Sequence, residues 1–573
     1  MSEHVIVIGA IALGPKAACR FKRLHPKAKV TMIDKNDTIS YGGCGIPYFV
    51  AGEVSESMQL RTTSFNMVRN KEFFKEVKGV DVFSLTEALR IDREKKHVHI
   101  RRLVSGEIDV LPYDKLVLAT GSTPRRLYLP GENMEGIHYV SSPYDAVKIR
   151  DAITKGLVKK AVVVGGGFIG LEMAEAFADM WDIETTVIEL ADQIMPRYMS
   201  LKLARMGQRH MEENGVSFHL NETVKRFEGE GRVKRVVTDK GVVEADIVVI
   251  SVGVEPNDDL AKKSGLQVSE HGGIVVDEHM QTSDPNIYAG GDCVVIKNLV
   301  TNQPFYLPLG SMANRQGRVI GTNLAGGNAR FKGAVGSFVC KIFESSMAGA
   351  GLCRKVAKQM GYDALSVLLV QLDRAHFYPT KQLMTLELVV DKSTRRILGI
   401  QGFGSYGDAM VGRINAVAGI LKNQPEIEDI SNFEMAYSPP FSAAMDILNT
   451  LGNMADNALA GMNRGLGPAE FETFWKQHKE SNFFLDCRET ADAEPYLEKY
   501  PEDWHNIPQG KISQRLAEIP KDKTVLLICN TGGRSYEAQI ILDENGFKDV
   551  INLHGGIAGL KSWGMNRDIT YLI

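Results

Sequence analysis

The chain has 573 residues, of which 44% are hydrophobic and 24% charged, and its formal net charge is −3. This length predicts three to five domains of about 100–200 residues, and so small a net charge gives no overall bias towards nucleic acid or membranes. The sequence shows neither a signal peptide nor an apolar run of membrane-spanning length, so we expect a cytoplasmic protein.

The first predicted element is the apolar strand VIVI at residues 5–8. It leads into the turn GAIALG at residues 9–14, then a helix and a second strand that ends in Asp34. This order is typical of a Rossmann unit, in which a pyrophosphate lies at the amino end of the helix and a ribose lies on the acid. Ile11 replaces the middle glycine of GxGxxG, so the motif alone is equally compatible with an ordinary strand-to-helix turn. The residues predicted to bind nucleotide here are Gly9, Ala12, Gly14, Asp34 and Lys35.

A second copy of this pattern begins at the strand KAVVV, residues 160–164, and its turn GGGFIG at residues 165–170 has all three glycines. The next strand ends in Glu189, 24 residues after Gly165, close to the usual spacing. A carboxylate there accepts hydrogen bonds from ribose hydroxyls and repels a 2′-phosphate, so we expect NAD rather than NADP. The predicted NAD-binding residues are Gly165, Gly167, Ile169, Gly170 and Glu189.

Two connecting segments are also predicted strands. The first, YDKLVLATGS at residues 113–122, ends in a glycine turn, and the second, YAGGD at residues 288–292, ends at an acid. Together with the two glycine turns they resemble the flavin-dependent pyridine nucleotide–disulfide oxidoreductases, over roughly residues 1–450. The resemblance implies FAD at the first turn, with the helix at residues 309–324 directing its positive amino end at the flavin. The FAD-binding residues implied are Ala119, Thr120, Gly121, Gly253, Asp292 and Asn314.

Cys44 lies in the segment SYGGCGIPY, residues 40–48, and has no second cysteine five positions away, as most disulfide reductases of this superfamily have. Its sulfur must therefore pair with a ligand or pass through a sulfenic acid. The segment resembles coenzyme A-disulfide reductases and NADH-dependent persulfide reductases, although Gly43 replaces their usual Asn. The rival NADH oxidases and peroxidases carry a histidine in the first glycine turn, where this chain has Ala12.

The resemblance extends to sites for substrate. HFYP at residues 376–379 and AYSPP at residues 436–440 match two active-site tyrosine segments, so Tyr378 and Tyr437 are implied proton donors, the second from a partner subunit. Without the family, both would be read as half-buried core tyrosines, and the basic residues after the first turn as a solvated helix face. The residues implied to bind coenzyme A are Arg20, Lys22, Arg23, Ser40 and Tyr48.

The C-terminal segment ends a strand at Cys529 and continues as CNTGGR, residues 529–534. Inward-pointing backbone N–H groups, the following helix and Arg534 would stabilise a persulfide anion on Cys529. The loop and the strands around it resemble the rhodanese domain over its full length. Cys487, at the end of a neighbouring strand, is predicted to be a buried core thiol.

These observations predict an α/β protein with two Rossmann-like domains, which bind FAD and NAD, an α+β dimerisation domain and an α/β rhodanese domain. The predicted boundaries are residues 1–112 with 245–330 for FAD, 113–244 for NAD(H), with strand connections to the FAD domain, 331–450 for dimerisation, 451–472 for a helical linker and 473–573 for rhodanese.

The function we expect is reduction of persulfide, polysulfide or coenzyme A disulfide by NADH, with FAD as cofactor and Cys529 supplying sulfane sulfur. The resemblance implies a homodimer, and we expect no metal, nucleic acid or membrane partner. Two alternatives stay open: an NADH oxidase or peroxidase that cycles Cys44 through sulfenic acid, and a redox sensor in which the rhodanese domain only docks partners.

Overall fold

The computed structural model describes residues 3–405, 407–477 and 479–564, so the last nine residues of the predicted rhodanese domain lie outside the described residues. The chain forms two compact units. One contains the described residues up to Leu190 together with Asn221–Ala334, and the other contains Ala191–Leu220 together with the described residues from Val335 onward.

The first unit begins with a parallel sheet that has His4–Ile8 at its centre. Lys29–Ile33 pairs on one side of this strand and Lys115–Leu118 on the other, and the outer strands are Asp81–Phe83 and Ile287–Ala289. The central strand is a continuous apolar run with its middle residues fully buried, which is the pattern of a sheet covered on both faces.

A second parallel sheet has Lys160–Val164 between Glu184–Glu189 and Ile247–Ile250, with Ile137–His138 at the edge beyond Ile247–Ile250. The α/β class with two Rossmann-like folds is therefore confirmed. The boundary predicted at residue 245 is wrong, because Ile247–Ile250 completes the second sheet and not the first. Both sheets use short apolar strands, and such a strand carries no sequence mark of the sheet that it joins.

Helices follow both glycine turns, and small sheets of two or three strands extend the unit. The helices are Leu13–Leu24, Ile46–Ala51, Lys71–Lys78, Pro143–Thr154, Phe168–Ala178, Asp259–Lys263 and Gly310–Asn323. The small sheets are Thr86–Asp92 with His97–Arg102 and Ile108–Pro112, Val224–Glu230 with Arg232–Thr238 and Val242–Glu244, Ser122–Pro124 with Val254–Pro256, and Ile274–Val275 with Val294–Lys297 and Pro304–Phe305.

The second unit contains a five-stranded antiparallel sheet, as predicted for an α+β domain. Its strands lie in the order Phe338–Ile342, Ser345–Gly351, Ile397–Ser405, Leu383–Asp391 and Ala364–Leu372. The unit's other elements outside the rhodanese part are the helices Leu201–Glu213, Arg354–Gln359, Asp408–Leu421, Ile427–Ser431 and Ile447–Leu459 and the strand Val216–Leu220.

A parallel five-stranded sheet forms the rhodanese part of this unit. Its strands lie in the order Gly465–Leu466, Val550–Leu553, Thr524–Ile528, Asn482–Asp486 and Trp504–Asn506, and its α-helices are Pro468–Gln477, Thr490–Lys499, Gly533–Glu544 and Gly556–Trp563.

The predicted helical linker at residues 451–472 is wrong as a single element. The helix Ile447–Leu459 stops just before Gly461, whose φ of +74° is left-handed. The next segment, Gly465–Leu466, is already the edge strand of the rhodanese sheet.

The rhodanese part packs on the other elements of its unit through the helix Gly556–Trp563. Arg209, on the helix Leu201–Glu213, donates to the carbonyl oxygen of Lys561 at 2.7 Å. A side chain at Gly555 would lie 3.2 Å from Leu368 and from Val370, so the backbone approaches the antiparallel sheet closely there. In the described part of the chain, none of the helices combines the length and apolar composition needed to cross a membrane.

Candidate active site

The first glycine turn has the geometry that a dinucleotide requires. Gly9 has a φ of +107°, and a Cβ there would lie 2.0 Å from the carbonyl oxygen of Ala119, so only glycine fits. The carboxylate of Asp34 accepts a hydrogen bond from the N–H of Ala10 at 2.8 Å. The acid at the end of the second strand is thereby held beside the turn, as the predicted ribose site needs.

The second turn repeats this arrangement. Gly165 has a φ of +110°, a Cβ there would lie 2.5 Å from the carbonyl oxygen of Ser251, and Glu189 accepts from the N–H of Gly166 at 2.7 Å. A Cβ at Gly167 would meet nothing within 4 Å, which leaves open space in front of the helix Phe168–Ala178. Both turns therefore fit a dinucleotide phosphate at the amino end of a helix.

Other residues predicted to bind FAD lie on both sides of the first sheet's carboxyl end. Ser122 donates to Asp292 at 3.1 Å, and burial raises the pKa of Asp292. Thr120 donates to the carbonyl oxygen of Asn257 at 2.6 Å. The remaining predicted residues differ in setting: Gly121 and Gly253 have left-handed φ angles, Lys35 is exposed, and Asn314 donates within its own helix to the carbonyl oxygen of Gly310 at 3.0 Å.

Cys44 lies in the short helical turn Gly43–Gly45, directly before the helix Ile46–Ala51. A Cβ placed on Gly310 would be 3.7 Å from the Cys44 sulfur, so this sulfur lies at the amino end of the helix Gly310–Asn323. The residue is exposed, yet its sulfur is partly desolvated against that helix, which raises the pKa of Cys44. The negative charges of Glu172 and Asp292 raise it further, and the N–H of Gly310 opposes them.

Glu172 is a candidate functional residue that the sequence analysis did not identify. It lies on the helix Phe168–Ala178, and its carboxyl is 3.5 Å from the hydroxyl of Tyr48. Burial, together with the charge of Glu175, raises the pKa of Glu172 to about 7, and the Tyr48 hydroxyl lowers it. The only sequence signal was its position one turn into the helix that follows the second glycine turn.

The three basic residues of the predicted coenzyme A cluster lie on the helix Leu13–Leu24 in different settings. Arg20 donates to the hydroxyl of Thr322 at 3.1 Å, and Arg23 is exposed. Lys22 donates to the carbonyl oxygen of Ala28 at 2.5 Å, which uses one of the three protons of its ammonium. Residues two apart on a helix do not face the same way, and the binding of coenzyme A by these three cations stays a prediction.

The serine predicted to bind coenzyme A lies beside the first glycine turn. Ser40 is buried, has a φ of +51° and donates its N–H to the carbonyl oxygen of Ala10 at 2.8 Å. A non-glycine residue in this left-handed region is uncommon, and such strain occurs preferentially near functional sites.

The two predicted tyrosine segments meet in the second unit. Ala375, just before the first segment, donates its N–H to the carbonyl oxygen of Pro439 in the second at 3.2 Å. Tyr378 is half-buried and Tyr437 is exposed. Phe377 and Phe441 are also exposed, so these segments present large apolar side chains to solvent.

The Cys529 loop encloses its sulfur. Cys529 is 1% exposed, and the N–H of Gly532 donates to the sulfur at 3.1 Å. Ile557, near the amino end of the helix Gly556–Trp563, donates its N–H to the carbonyl oxygen of Cys529 at 2.9 Å. Arg534 is half-buried in the first turn of the helix Gly533–Glu544. The sulfur therefore has one backbone donor in this loop, and its predicted role as a sulfur carrier stays a prediction.

Cys487 is confirmed as a buried core thiol. It is 0% exposed, and burial raises its pKa well above the ordinary value. Beside it, Arg488 forms a buried ion pair with Asp486 at 2.7 Å, and Trp504 also donates to Asp486, at 3.1 Å. These paired charges fix the strand end next to the Cys529 loop.

Comparisons with known proteins follow the same division of the chain. The family described as pyridine nucleotide-disulphide oxidoreductase matches residues 3–317, its dimerisation domain matches 338–448, and the rhodanese-like domain matches 470–562. An NAD(P)H coenzyme A polysulfide/persulfide reductase of Pyrococcus horikoshii is 33% identical over 79% of this chain and 98% of its own length.

Two solved structures cover almost the whole chain. A NAD-dependent persulfide reductase from A. fulgidus is 38% identical, with a TM-score of 0.90 over 97% of this chain and 99% of its own. A reduced Bacillus anthracis protein described as CoADR-RHD is 30% identical, with a TM-score of 0.88 over 99% of this chain and 98% of its own.

Proposed function

Because the chain belongs to the pyridine nucleotide-disulphide oxidoreductase family, we propose that it uses NADH to reduce sulfur–sulfur bonds in persulfide, polysulfide or coenzyme A disulfide. Membership of this family implies a flavin and NAD(P)H. FAD, the preference for NADH and the use of coenzyme A are our finer proposals. The relatives named for persulfide reduction support the substrate class.

One observation carries the proposal: the chain has two sulfur nucleophiles in opposite settings. Cys44 is exposed at the amino end of the helix Gly310–Asn323. Cys529 is buried, and the N–H of Gly532 donates to its sulfur. The first suits attack on a substrate in solution, and the second suits storage of a sulfane sulfur away from water.

In the proposed reaction the Cys44 thiolate attacks one sulfur of the substrate's sulfur–sulfur bond. A mixed disulfide forms on Cys44, and the other sulfur leaves with the bonding electrons as hydrosulfide or a thiolate. A flavin bound at the first turn and reduced by NAD(P)H would supply the two electrons that return this disulfide to thiols. The N–H of Gly310 favours the Cys44 thiolate, and Asp292 and Glu172 oppose it.

Protons and substrate are assigned to residues around this step. We propose that Tyr437 protonates the leaving sulfur and that a homodimer brings this tyrosine to the partner's Cys44, with Tyr378 as a further proton donor. The exposed Phe377 and Phe441 support burial of this surface against a second copy. The proposed coenzyme A contacts are Arg20, Lys22, Arg23, Ser40 and Tyr48.

The experiment measures hydrosulfide release with NADH and either coenzyme A persulfide, inorganic polysulfide or coenzyme A disulfide. We expect Cys44→Ser to abolish turnover of all three while NADH still reduces the flavin, and Cys19→Ser to serve as the matched control. Cys529→Ser should slow polysulfide turnover. If Cys44→Ser still released hydrosulfide at the wild-type rate, the proposal would be wrong. Trapping of a sulfenate at Cys44 by dimedone during turnover with NADH and peroxide would instead favour an oxidase or peroxidase.

A further inference from the structure

Two buried polar side chains, Ser535 and Asn552, lie next to the Cys529 sulfur and have no part in the proposed reaction. The hydroxyl oxygen of Ser535 is 3.2 Å from the Cys529 sulfur and 2.7 Å from the side-chain oxygen of Asn552. Ser535 is 0% exposed and Asn552 is 1% exposed. A serine hydroxyl has one proton, so it can donate to only one of these two neighbours at a time.

The orientation of Asn552 is fixed by its other contacts. Its amide nitrogen is 3.2 Å from the carbonyl oxygen of Gly532, which can only accept a hydrogen bond. The same nitrogen donates to the side-chain oxygen of Asn463 at 3.3 Å. The Asn552 oxygen must therefore face Ser535, and it is an acceptor that competes with the Cys529 sulfur for the serine proton.

We propose that Ser535 is a further catalytic residue for sulfur transfer, a donor that switches from Asn552 to the Cys529 sulfur as negative charge develops there. While Cys529 is a neutral thiol, the serine proton stays on Asn552 and the serine oxygen accepts the S–H. When the sulfur becomes a thiolate, the hydroxyl rotates and donates to it. Asn552 is the positioning residue that holds the hydroxyl in place between the two states.

The switch acts in the step that empties the loop. An acceptor nucleophile, either a thiolate or cyanide, attacks the outer sulfur of the protonated persulfide on Cys529. The bond between the acceptor and the outer sulfur forms, and the bond between the outer sulfur and the Cys529 sulfur breaks. Its electron pair stays on the Cys529 sulfur, and the proton leaves with the transferred sulfur. One negative charge enters with the acceptor and one remains on Cys529, so the step is balanced. Ser535 meets the charge where it develops.

The burial of these groups decides the size of the effect. A hydrogen bond to a charged atom is stronger in a water-free site. Part of this gain is offset because the Asn552 oxygen loses the Ser535 proton when the hydroxyl rotates. We therefore expect removal of the hydroxyl to slow the step by about tenfold, and not to abolish it, because Gly532 still donates.

The inference rests on the proposed sulfur transfer at Cys529. Two measurements on the full-length holoenzyme test the role of Ser535 separately from that transfer. The first is alkylation of Cys529 by iodoacetamide at neutral pH, followed on its own peptide by mass spectrometry. The second is single-turnover transfer to cyanide after loading with thiosulfate. Ser535→Ala should slow both by about tenfold. The loss in transfer should lie in the limiting rate constant and not in the cyanide concentration that gives half of it, and Ser535→Thr should restore both rates.

Asn552→Ala should not slow the alkylation of Cys529, in contrast to Ser535→Ala. With its competitor removed, the Ser535 hydroxyl is free to donate to sulfur, so Cys529 should be alkylated at least as fast as in the wild type. In the double variant with Ser535→Ala this gain should vanish. Protection of Cys487 from thiol reagents shows that each variant is folded.

Alkylation at the wild-type rate in Ser535→Ala, or slower alkylation in folded Asn552→Ala, would overturn the switch. Failure of the wild type to take up sulfur from thiosulfate or polysulfide would instead overturn the proposed transfer through Cys529, and the alkylation rates would still decide the role of Ser535.

Discussion

The indole N–H of Trp181 donates a hydrogen bond to the carbonyl oxygen of Val50 across 2.8 Å. Val50 lies in the helix that directly follows Cys44, and Trp181 follows the helix Phe168–Ala178, which begins at the second glycine turn. The contact holds the helix Ile46–Ala51, which follows Cys44, against the helix Phe168–Ala178. It places Glu172 of that helix where its charge acts on Cys44.

Glu172→Gln should change the reactivity of Cys44 in a pH-dependent way. The pKa of Glu172 is raised to about 7, so its carboxyl is neutral below pH 7 and charged above it. Only the charged form opposes the Cys44 thiolate. Alkylation of Cys44 should therefore proceed at similar rates in variant and wild type at pH 6, and severalfold faster in the variant at pH 8, where less than about 1.4 kcal/mol of repulsion is removed.

Tyr48→Phe is the matched control for this experiment. The Tyr48 hydroxyl lowers the pKa of Glu172, so its removal should raise that pKa. The effect of the Glu172 charge on Cys44 alkylation should then begin at a higher pH in Tyr48→Phe than in the wild type. A rate ratio between Glu172→Gln and wild type that is independent of pH would show that the carboxyl does not act on Cys44 through its charge.

Local motifs in the sequence predicted both glycine turns, the Cys529 loop and the burial of Cys487, because each depends on neighbours along the chain. Glu172 and the Ser535–Asn552 contact depend on packing between distant segments, which no spacing reveals. The hydrogen bond from Lys22 to the carbonyl oxygen of Ala28 is likewise invisible in the sequence, because it depends on how the chain turns after the helix.

Glu189 should control the choice between NADH and NADPH. Its carboxylate is fixed by the N–H of Gly166 at 2.7 Å, at the end of the strand where the ribose is expected. A 2′-phosphate there would meet a negative charge. We expect Glu189→Ser to lower the KM for NADPH by about tenfold, equivalent to about 1.4 kcal/mol, and to raise that for NADH, as measured by flavin reduction. Glu184→Ser, at the exposed start of the same strand, should leave both KM values unchanged.

His554 should make the rhodanese part sensitive to acid. Burial, together with the charge of Lys202, lowers the pKa of His554 to about 3, whereas an unfolded histidine takes up a proton below about 6.5. The unfolded state therefore binds more protons between pH 6.5 and 3, and stability is lost as the pH falls through this window. The loss from this group is at most about 1.4 kcal/mol per pH unit.

Reaction of Cys487 with a thiol reagent in increasing urea measures this stability, because Cys487 is 0% exposed in the folded chain. In His554→Gln the urea midpoint should fall less steeply between pH 6.5 and pH 5 than in the wild type. Parallel curves for the two proteins would mean that His554 is not the group that takes up the proton.

Arg209→Ala should loosen the helix that supports the Cys529 loop. Arg209 donates to the carbonyl oxygen of Lys561 in the last turn of the helix Gly556–Trp563, whose first turn donates to Cys529 and Asn530. Loss of this charged contact, worth about 1.5–3 kcal/mol, should increase amide hydrogen exchange in that helix by about tenfold or more. Arg205→Ala, on the same helix as Arg209 but paired at the surface with Glu212, is the matched control. Equal exchange in the two variants would show that the helix Gly556–Trp563 is held by its apolar face alone. Faster exchange only in Arg209→Ala would show that this arginine supports the Cys529 loop through that helix.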